Sequence, residues 1–317
     1  MSFSDLRSRL ALSHTKGLRL RARQLASGWG AGAHRAERKG SGVEFAGHRD
    51  YAPGDDLRHL DHHALLRHGK LLVRQFHTET ERSVHIIVDA TSSMKYSGGP
   101  ERGQKNSPEE KTDRAVLLAA ALATIAKDSG DAIGLSWKGD NIVKTFPPRG
   151  KGEAFEQLMV ELEHLSDHTA HSPNGSKGTQ AHSWELLFNE LGSRLSRGTI
   201  VFLLSDLLDF TPSLSRTLTA LCTRNRTVRA AQILSPDEID FPFEGPLRLR
   251  DPETSQEVLS DAHSVGDDYR AARRALTELC RNDLQRAGGL LVVAKTTDAP
   301  DDTLRKLVSS RTSEVGR

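Results

Sequence analysis

The stretch Ser83-Val-His-Ile-Ile-Val-Asp89-Ala-Thr91-Ser-Ser93-Met94 decides the fold. Residues 83–88 are mostly apolar and rich in β-branched side chains, which predicts a short buried strand. An aspartate ends that strand, and hydroxyl side chains follow it two and four positions later. Carboxylate and hydroxyl oxygens suit Mg²⁺ or Mn²⁺, and open α/β sheets bind ligands at the carboxyl ends of their strands. The stretch therefore predicts a metal-binding loop.

Strands and helices alternate from residue 83 onward. This alternation predicts an α/β domain over residues 83–310 with a doubly wound, mostly parallel, Rossmann-like sheet. The predicted strands cover residues 83–88, 132–137, 142–146, 199–204, 228–234 and 289–294. The predicted helices cover residues 107–128, with Ser107-Pro108 as N-cap and first helical position, and residues 153–164, 183–195, 213–225, 267–286 and 301–308. A hairpin insertion is expected at about residues 245–260.

The first 82 residues are expected to form a small helical and β appendage. Residues 1–43 carry nine Lys or Arg against two acids, although the whole chain has a net charge of only +2. A helix at 5–25 and a loose Gly/Ala-rich segment account for this basic end, which we interpret as a solvated surface. Contact with nucleic acid or a membrane is the alternative. Residues 44–82 contain a Pro-Gly turn and a predicted strand at 70–76.

Composition and targeting signals favour an ordinary globular protein. The chain is 36% hydrophobic and 27% charged. We find no apolar run near the roughly 20 residues that a membrane-spanning helix needs, and no signal peptide. The two cysteines, Cys222 and Cys280, lack metal or disulfide spacing, which favours a reducing compartment. From the sequence we therefore expect a cytoplasmic protein.

Two later loops also end at the carboxyl edge of the predicted sheet. One contains Gly178-Thr179 and the other contains Ser205-Asp206. The predicted metal ligands are therefore Asp89, Thr91, Ser93, Thr179 and Asp206. Thr169 lies in the same long loop as Thr179 and is an alternative ligand. A turn or N-cap network without a metal is the alternative for the Asp89 loop. No predicted motif places a general base or nucleophile beside this loop, so it favours recognition over catalysis.

The loop resembles the metal-ion-dependent adhesion site of von Willebrand factor A domains, whose pattern is Asp-x-Ser-x-Ser with a Thr and an Asp from later loops. Over about residues 40–310 the chain is similar, more narrowly, to the bacterial family called domain of unknown function 58. The order and spacing of several short motifs carry this resemblance: Glu44-Phe45, Arg49-x-Tyr51-x-Pro53-Gly54-Asp55-Asp56-x-Arg58-x-Leu60-Asp61, the strand at 70–76, Asp89 to Met94, Pro147-Pro-Arg-Gly150, Gly178-Thr179, Leu204-Ser205-Asp206, Asp237-Glu238 and the Asp251-Pro-Glu-Thr hairpin.

The resemblance implies a von Willebrand A-like fold that binds a divalent ion. It also implies action beside a MoxR-type AAA+ ATPase, in chaperone-like assembly or maturation of a client or in the loading of metal cofactors, without an established enzymatic activity. Two positions depart from the family pattern. Thr91 stands where Ser is usual, which keeps an oxygen ligand, and His62 follows Asp61 where Trp is common.

Two further motifs have alternative interpretations. The residues of the Arg-x-Tyr-x-Pro-Gly-Asp-Asp motif are expected to form an ion-pair and turn network, or else a partner-docking motif: Arg49, Tyr51, Gly54, Asp55, Asp56, Arg58 and Asp61. The His-rich segment 59–68 would suit a metal-dependent phosphoesterase, but the aspartate-bearing strand that such enzymes require is missing before it. The sequence also lacks a Gly-Lys-Ser/Thr phosphate loop, so we expect no nucleotide binding by this chain. A non-enzymatic, metal-dependent protein-interaction module, completed by an acidic residue of its partner, is the function we expect.

Overall fold

The structure is a computed structural model and describes residues 17–27, 44–51, 61, 69, 71–77, 83–96, 109–150, 152–166, 183–250 and 256–309. The chain divides into two compact units. His34–Glu81 form the smaller unit, and Met1–Ala33 together with Arg82–Arg317 form the larger one. The sequence analysis had grouped residues 1–43 with the appendage, whereas residues 17–27 are a helix of the larger unit.

The smaller unit contains an antiparallel pair of strands, β1 (Glu44–Asp50) and β2 (Leu72–His77). Arg49 pairs with Val73 in the register, and the Tyr51 backbone N–H donates to the Leu71 carbonyl at 3.0 Å just beyond the last pair. The sequence predicted β2 to within two residues but not β1. Gly47 and the charged residues of β1 hide the alternation that marks a strand.

The larger unit contains a six-stranded sheet and a separate hairpin. The sheet strands are β3 (Ser83–Asp89), β4 (Ala132–Lys138), β5 (Val143–Arg149), β6 (Ile200–Ser205), β7 (Thr227–Leu234) and β10 (Leu290–Lys295); the hairpin strands are β8 (Pro246–Arg250) and β9 (Glu257–Asp261). The sheet order is β10-β7-β6-β3-β4-β5, with every neighbouring pair parallel except β4 and β5. The predicted α/β fold class with a mostly parallel sheet is confirmed.

Helices pack against both faces of this sheet. They are α1 (residues 17–27), α2 (Lys111–Ser129), α3 (Gly152–Ser166), α4 (Trp184–Arg194), α5 (Pro212–Ala220), α6 (Pro236–Asp240), α7 (Ala262–Arg286) and α8 (Pro300–Val308). One buried cluster joins α1, α2, α3 and α8 to side chains such as Ile86 of β3. A second cluster joins α4, α5 and α7 to Ile87 of the same strand. Neighbouring strand residues thus enter opposite cores, which is why β3 is apolar on both faces.

The sheet order creates a topological switch point between β3 and β6. The chain runs from β3 to β4 and β5 on one side, and then crosses to β6 on the other side of β3. The loops that follow β3 and β6 therefore leave in opposite directions and open a crevice at the carboxyl ends of these strands. Asp89 ends β3, and Asp206 directly follows β6.

Three predicted helix ends differ from the structure by four or five residues. Helix α7 begins at Ala262, five residues before the predicted start, with Asp261 as its N-cap. Helix α2 begins at Lys111 with Glu110 as its N-cap, and the predicted cap Ser107 lies outside the described residues. Helix α5 ends at Ala220, not at residue 225, because Arg224 and Asn225 adopt positive φ angles of 59° and 60° that cannot continue a helix.

Candidate functional site at the carboxyl edge of the sheet

A hydrogen-bonded cluster of oxygens occupies the switch point. The Thr91 hydroxyl donates to Asp89 Oδ1 at 2.7 Å, and the Thr91 and Ser93 hydroxyl oxygens lie 3.0 Å apart. Ser205, the last residue of β6, donates its hydroxyl to Asp89 Oδ2 at 2.6 Å. The structure thus brings together three of the predicted ligands, Asp89, Thr91 and Ser93, on one loop. All of these side chains are buried.

The loop is held in shape from both sides. Residues Ser92–Lys95 form a single turn of 3₁₀ helix. The Ser92 backbone N–H donates to Asp140 Oδ1 at 2.7 Å, which ties this turn to the loop between β4 and β5. On the other side, the Thr112 hydroxyl of α2 donates to the Met94 carbonyl at 3.0 Å. These contacts fix the direction in which the Asp89, Thr91 and Ser93 oxygens point.

Asp206 lies near this cluster but is engaged by a buried lysine. Lys111 Nζ donates to Asp206 Oδ2 at 2.8 Å and to Glu238 Oε1 at 2.6 Å, and the Lys111 side chain is 0% exposed. Lys111 is the first residue of α2, where the helix dipole is positive and disfavours a cation. The two carboxylates offset both that field and the loss of hydration. The other oxygen, Asp206 Oδ1, accepts the Leu208 N–H at 3.0 Å.

The Asp89 carboxyl group has an altered acidity. Burial, which disfavours the charged form, and the nearby Asp206 carboxylate together raise its pKa to about 7. The hydrogen bonds from Ser205 and Thr91 act in the opposite direction, because they stabilise the carboxylate. A cation approaching these two carboxylates would favour the ionised form of Asp89, so the site gains from added positive charge.

The donor set fits a hard divalent cation such as Mg²⁺ or Mn²⁺. Asp89, Thr91 and Ser93 offer one carboxylate and two hydroxyls, which are the oxygen ligands that these ions prefer. Ser93 also lines an open groove, so the cluster has a path to solvent. Among the described residues, no group of three or more His, Cys, Asp or Glu side chains could hold a metal ion. A softer, nitrogen- or sulfur-rich metal site is therefore not found in that part of the chain.

Sequence reasoning missed the buried ammonium group of Lys111 beside this site. Lys111 is the first residue of an alanine-rich helix, where a lysine normally lies in solvent. Its partners Asp206 and Glu238 are 95 and 127 residues away, so no local pattern indicates the pairing. Ser205 and Glu238 belong to motifs quoted for the family resemblance, but the sequence assigned neither of them a role at the site.

Several predicted residues lie outside the described part of the chain. These are Thr179, its alternative Thr169, the motif residues Gly54, Asp55, Asp56 and Arg58, and the histidines of segment 59–68. Of the remaining motif residues, Arg49 lies on β1, Tyr51 is half-buried, and Asp61 is buried. The docking and phosphoesterase interpretations of this segment thus stay predictions.

Comparison with known proteins identifies the family. The family described as protein of unknown function DUF58 matches residues 47–279, which is most of the chain. The chain belongs to this family. An uncharacterized protein of Mycobacterium tuberculosis is 25% identical in sequence over 296 residues, which cover 93% of this chain and 88% of that protein. An uncharacterized protein of Mycobacterium bovis matches to the same extent.

Two solved structures have a similar fold. An aerotolerance-related membrane protein from Bacteroides fragilis is 13% identical, with a TM-score of 0.45, and the match covers 71% of this chain and 96% of that protein. A von Willebrand factor type A protein from Catenulispora acidiphila is 14% identical, with a TM-score of 0.40, over 75% of this chain and 43% of that one. The α/β fold class that the sequence resemblance implied rests on the sheet itself, in which β4 and β5 are the one antiparallel pair among the described strands of the order β10-β7-β6-β3-β4-β5.

The prediction of a cytoplasmic protein is wrong. The finding that contradicts it is that the Bacteroides fragilis protein is described as a membrane protein. Within the residues that the structure describes, we find no helix with the length and apolar character to cross a bilayer. The sequence argument rested on missing signals, and missing signals do not establish a compartment.

Proposed function

We propose that this DUF58 protein is a non-enzymatic protein-interaction module that binds its partner through a divalent cation held at the Asp89 loop. The observation that carries the proposal is the cluster of Asp89, Thr91, Ser93 and Ser205 oxygens at the switch point of the sheet. A von Willebrand A-like DUF58 chain supports an interaction module as the class of function. The oxygen cluster supports the further proposal that partner binding depends on a metal ion.

The chain's own residues have distinct roles in this proposal. Asp89, Thr91 and Ser93 would hold Mg²⁺ or Mn²⁺, and the cation would supply a positive centre for a carboxylate of the partner. Ser205 orients the Asp89 carboxylate through its 2.6 Å hydrogen bond. Lys111 pairs with Asp206 Oδ2 at 2.8 Å, so the Asp206 carboxylate beside the site already has a cationic partner. Thr179 remains a proposed further ligand.

The family resemblance extends the proposal to a partner. We propose that the protein acts with a MoxR-type AAA+ ATPase in the assembly or maturation of a client protein. A surface that binds an acidic side chain only when a cation is present would let this protein and the ATPase bind a client and release it again.

Affinity capture with and without Mg²⁺ tests the proposal. The wild-type protein should retain its partners in Mg²⁺ and release them when a chelator is added. Asp89→Ala should abolish the Mg²⁺-dependent capture. It removes no apolar packing, and leaving the Ser205 and Thr91 hydroxyls without their acceptor should cost about 1–3 kcal/mol each, so we expect a less stable but folded protein. Asp209→Ala is the matched control, because Asp209 is an exposed carboxylate three residues from Asp206. Equal capture by wild type and Asp89→Ala in Mg²⁺ would show that the proposal is wrong.

A further inference from the structure

The ammonium group of Lys111 is a cation already present beside the proposed metal site. Its Nζ atom lies 2.8 Å from Asp206 Oδ2 and 2.6 Å from Glu238 Oε1. It also lies 5.9 Å from the centroid of the Tyr96 ring, and Tyr96 directly follows the 3₁₀ turn that contains Ser93. Among the described residues, no other basic side chain forms an ion pair with either carboxylate. Both carboxylates therefore depend on Lys111 for a contacting positive charge.

Glu238 is a fixed partner of this ammonium. Its second oxygen, Oε2, accepts hydrogen bonds from the Ser235 backbone N–H at 2.8 Å and from the Ser235 hydroxyl at 3.1 Å. The Ser235 hydroxyl in turn accepts the Glu238 backbone N–H, which completes a capping box at the start of α6. Because its own helix holds Glu238, Lys111 keeps this partner whatever Asp206 contacts.

Asp206 links the ammonium to the Asp89 loop. It directly follows Ser205, whose hydroxyl donates to Asp89 Oδ2 at 2.6 Å. The negative charge of Asp206 acts on the Asp89 carboxyl group, so the two carboxyl groups are near neighbours. Asp206 Oδ1 accepts the Leu208 N–H, and Asp206 Oδ2 accepts the Lys111 ammonium. A cation at the Asp89 loop would therefore meet an Asp206 charge that Lys111 already offsets.

A second buried cation lies in the same neighbourhood but holds neither carboxylate. The charges of Arg273, Asp206 and Glu238 all act on the Tyr269 hydroxyl, whose pKa is raised by burial. The Arg273 side chain is buried, and its guanidinium nitrogens make no hydrogen bond within the described part of the chain. Lys111 is therefore the group whose removal would release Asp206.

We infer that Lys111 is a built-in competitor of the divalent cation and sets the affinity of the Asp89 loop for it. The ammonium repels an incoming cation, and a buried charge is screened only in part. It also engages Asp206 Oδ2, which would otherwise be available to the cation or to a water molecule bound to it. The lowered affinity makes occupancy of the site follow the free ion concentration, so a bound partner can be released. The inference rests on the proposed function, because it assigns the affinity of that same site to one residue.

Calorimetric titration of Mn²⁺ into the wild-type protein and Lys111→Met tests the inference. Methionine keeps most of the side-chain volume and removes the charge, so the variant should bind Mn²⁺ at least about tenfold more tightly than the wild type. Lys306→Met is the control, because it makes the same change of charge at an exposed position of α8 and should bind as the wild type does. Equal or weaker binding by Lys111→Met would overturn the inference.

Two further variants test the inference even if Lys111→Met fails to fold. Glu238→Gln leaves Asp206 as the remaining carboxylate contact of the ammonium, and a glutamine can still form the capping box. It should bind Mn²⁺ about threefold or more weakly than the wild type, because a negative charge is lost. Lys111→Met/Glu238→Gln removes a cation and an anion together, so it leaves fewer unpaired buried charges than Lys111→Met. It should bind Mn²⁺ at least about tenfold more tightly than Glu238→Gln, and equal affinity in these two variants would overturn the inference.

Thermal unfolding separates competition for the cation from a purely structural role of the lysine. An ion that binds only the folded protein raises its stability by an amount that grows as its dissociation constant falls. Mn²⁺ at one fixed concentration should therefore raise the melting temperature of Lys111→Met more than that of the wild type. A lysine that only stabilises the fold would lower the melting temperature and leave the shift caused by Mn²⁺ unchanged, and that result would overturn the inference.

The outcomes distinguish this inference from the proposed function. Tighter Mn²⁺ binding by Lys111→Met that a second substitution, Asp89→Ala, abolishes supports the inference. Wild-type binding that Asp89→Ala abolishes, without a gain in Lys111→Met, overturns the inference and keeps the metal proposal. Binding by Lys111→Met alone, with none by the wild type at millimolar Mn²⁺, supports the inference and contradicts the metal proposal. Binding by neither protein overturns both.

Discussion

Replacing Lys111 by Met should strongly destabilise the larger unit. Methionine keeps most of the side-chain volume but removes a fully buried ammonium group that contacts two carboxylates, at 2.8 Å on Asp206 and 2.6 Å on Glu238. With an effective dielectric constant of about 20, each contact contributes about 6 kcal/mol of gross attraction. Most of that attraction offsets the cost of burying the charges.

The net loss of stability comes from the Asp206 and Glu238 carboxylates, which the substitution leaves without their cationic partner. Breaking a buried pair by removing one partner typically costs about 3–5 kcal/mol. We therefore expect the free energy of unfolding of Lys111→Met to fall by roughly that amount in the absence of divalent ions. Removing Glu238 as well should cost less than the sum of the two single changes, because the variants share one interaction; we expect a coupling of at least about 1 kcal/mol in Lys111→Met/Glu238→Gln.

Urea unfolding monitored by tryptophan fluorescence measures this effect. Trp137 and Trp184 are both buried in the larger unit, so their emission reports its unfolding. Lys306→Met is the control, because Lys306 is exposed on α8 and should change stability by less than about 0.5 kcal/mol. A loss below about 1 kcal/mol in Lys111→Met would refute the argument that this lysine holds the two carboxylates.

Two other predictions concern the sheet. Gly134→Ala should destabilise the protein by about 1–3 kcal/mol in urea unfolding, because a Cβ there would lie 2.5 Å from His85 Nδ1 and under 3 Å from backbone atoms of β5. Gly152→Ala is the control and should not lower the free energy of unfolding, because no atom lies within 4 Å of a Cβ there. Equal effects of the two substitutions would contradict the close packing around Gly134. Burial lowers the pKa of His85 to about 3, so the folded protein binds fewer protons there than the unfolded chain. Stability should therefore be lost as the pH falls from about 6.5 toward 3, and His85→Gln should flatten that loss; an unchanged pH profile would argue against a neutral buried imidazole.

Much of the fold could be predicted because its signals are local. Apolar β-branched runs mark β3, β6 and β10, and they are apolar on both faces because helices cover both faces of the sheet. The Asp89 loop could also be predicted, since the ligand types and their spacing lie within five residues. The structure places their oxygens within hydrogen-bonding distance of each other.

The parts that could not be predicted depend on long-range contacts. Lys111 is a buried ion-pair partner only because the loop after β6 and helix α6 come to the start of α2. The open groove beside Ser93 is likewise lined by residues far apart in the chain, such as Leu249 of β8 and Tyr269 of α7. A single sequence contains the residues of both features but not their juxtaposition.

Calorimetric titration of Mn²⁺ into the purified protein measures directly whether the Asp89 loop binds a cation. The wild-type protein should show one site, and Asp89→Ala should bind at least about tenfold more weakly, because the variant loses the charged ligand. Asp209→Ala should bind as the wild type does. The absence of Mn²⁺ binding by the wild type, or equal affinity in Asp89→Ala, would contradict the claim that the Asp89 loop is a cation site.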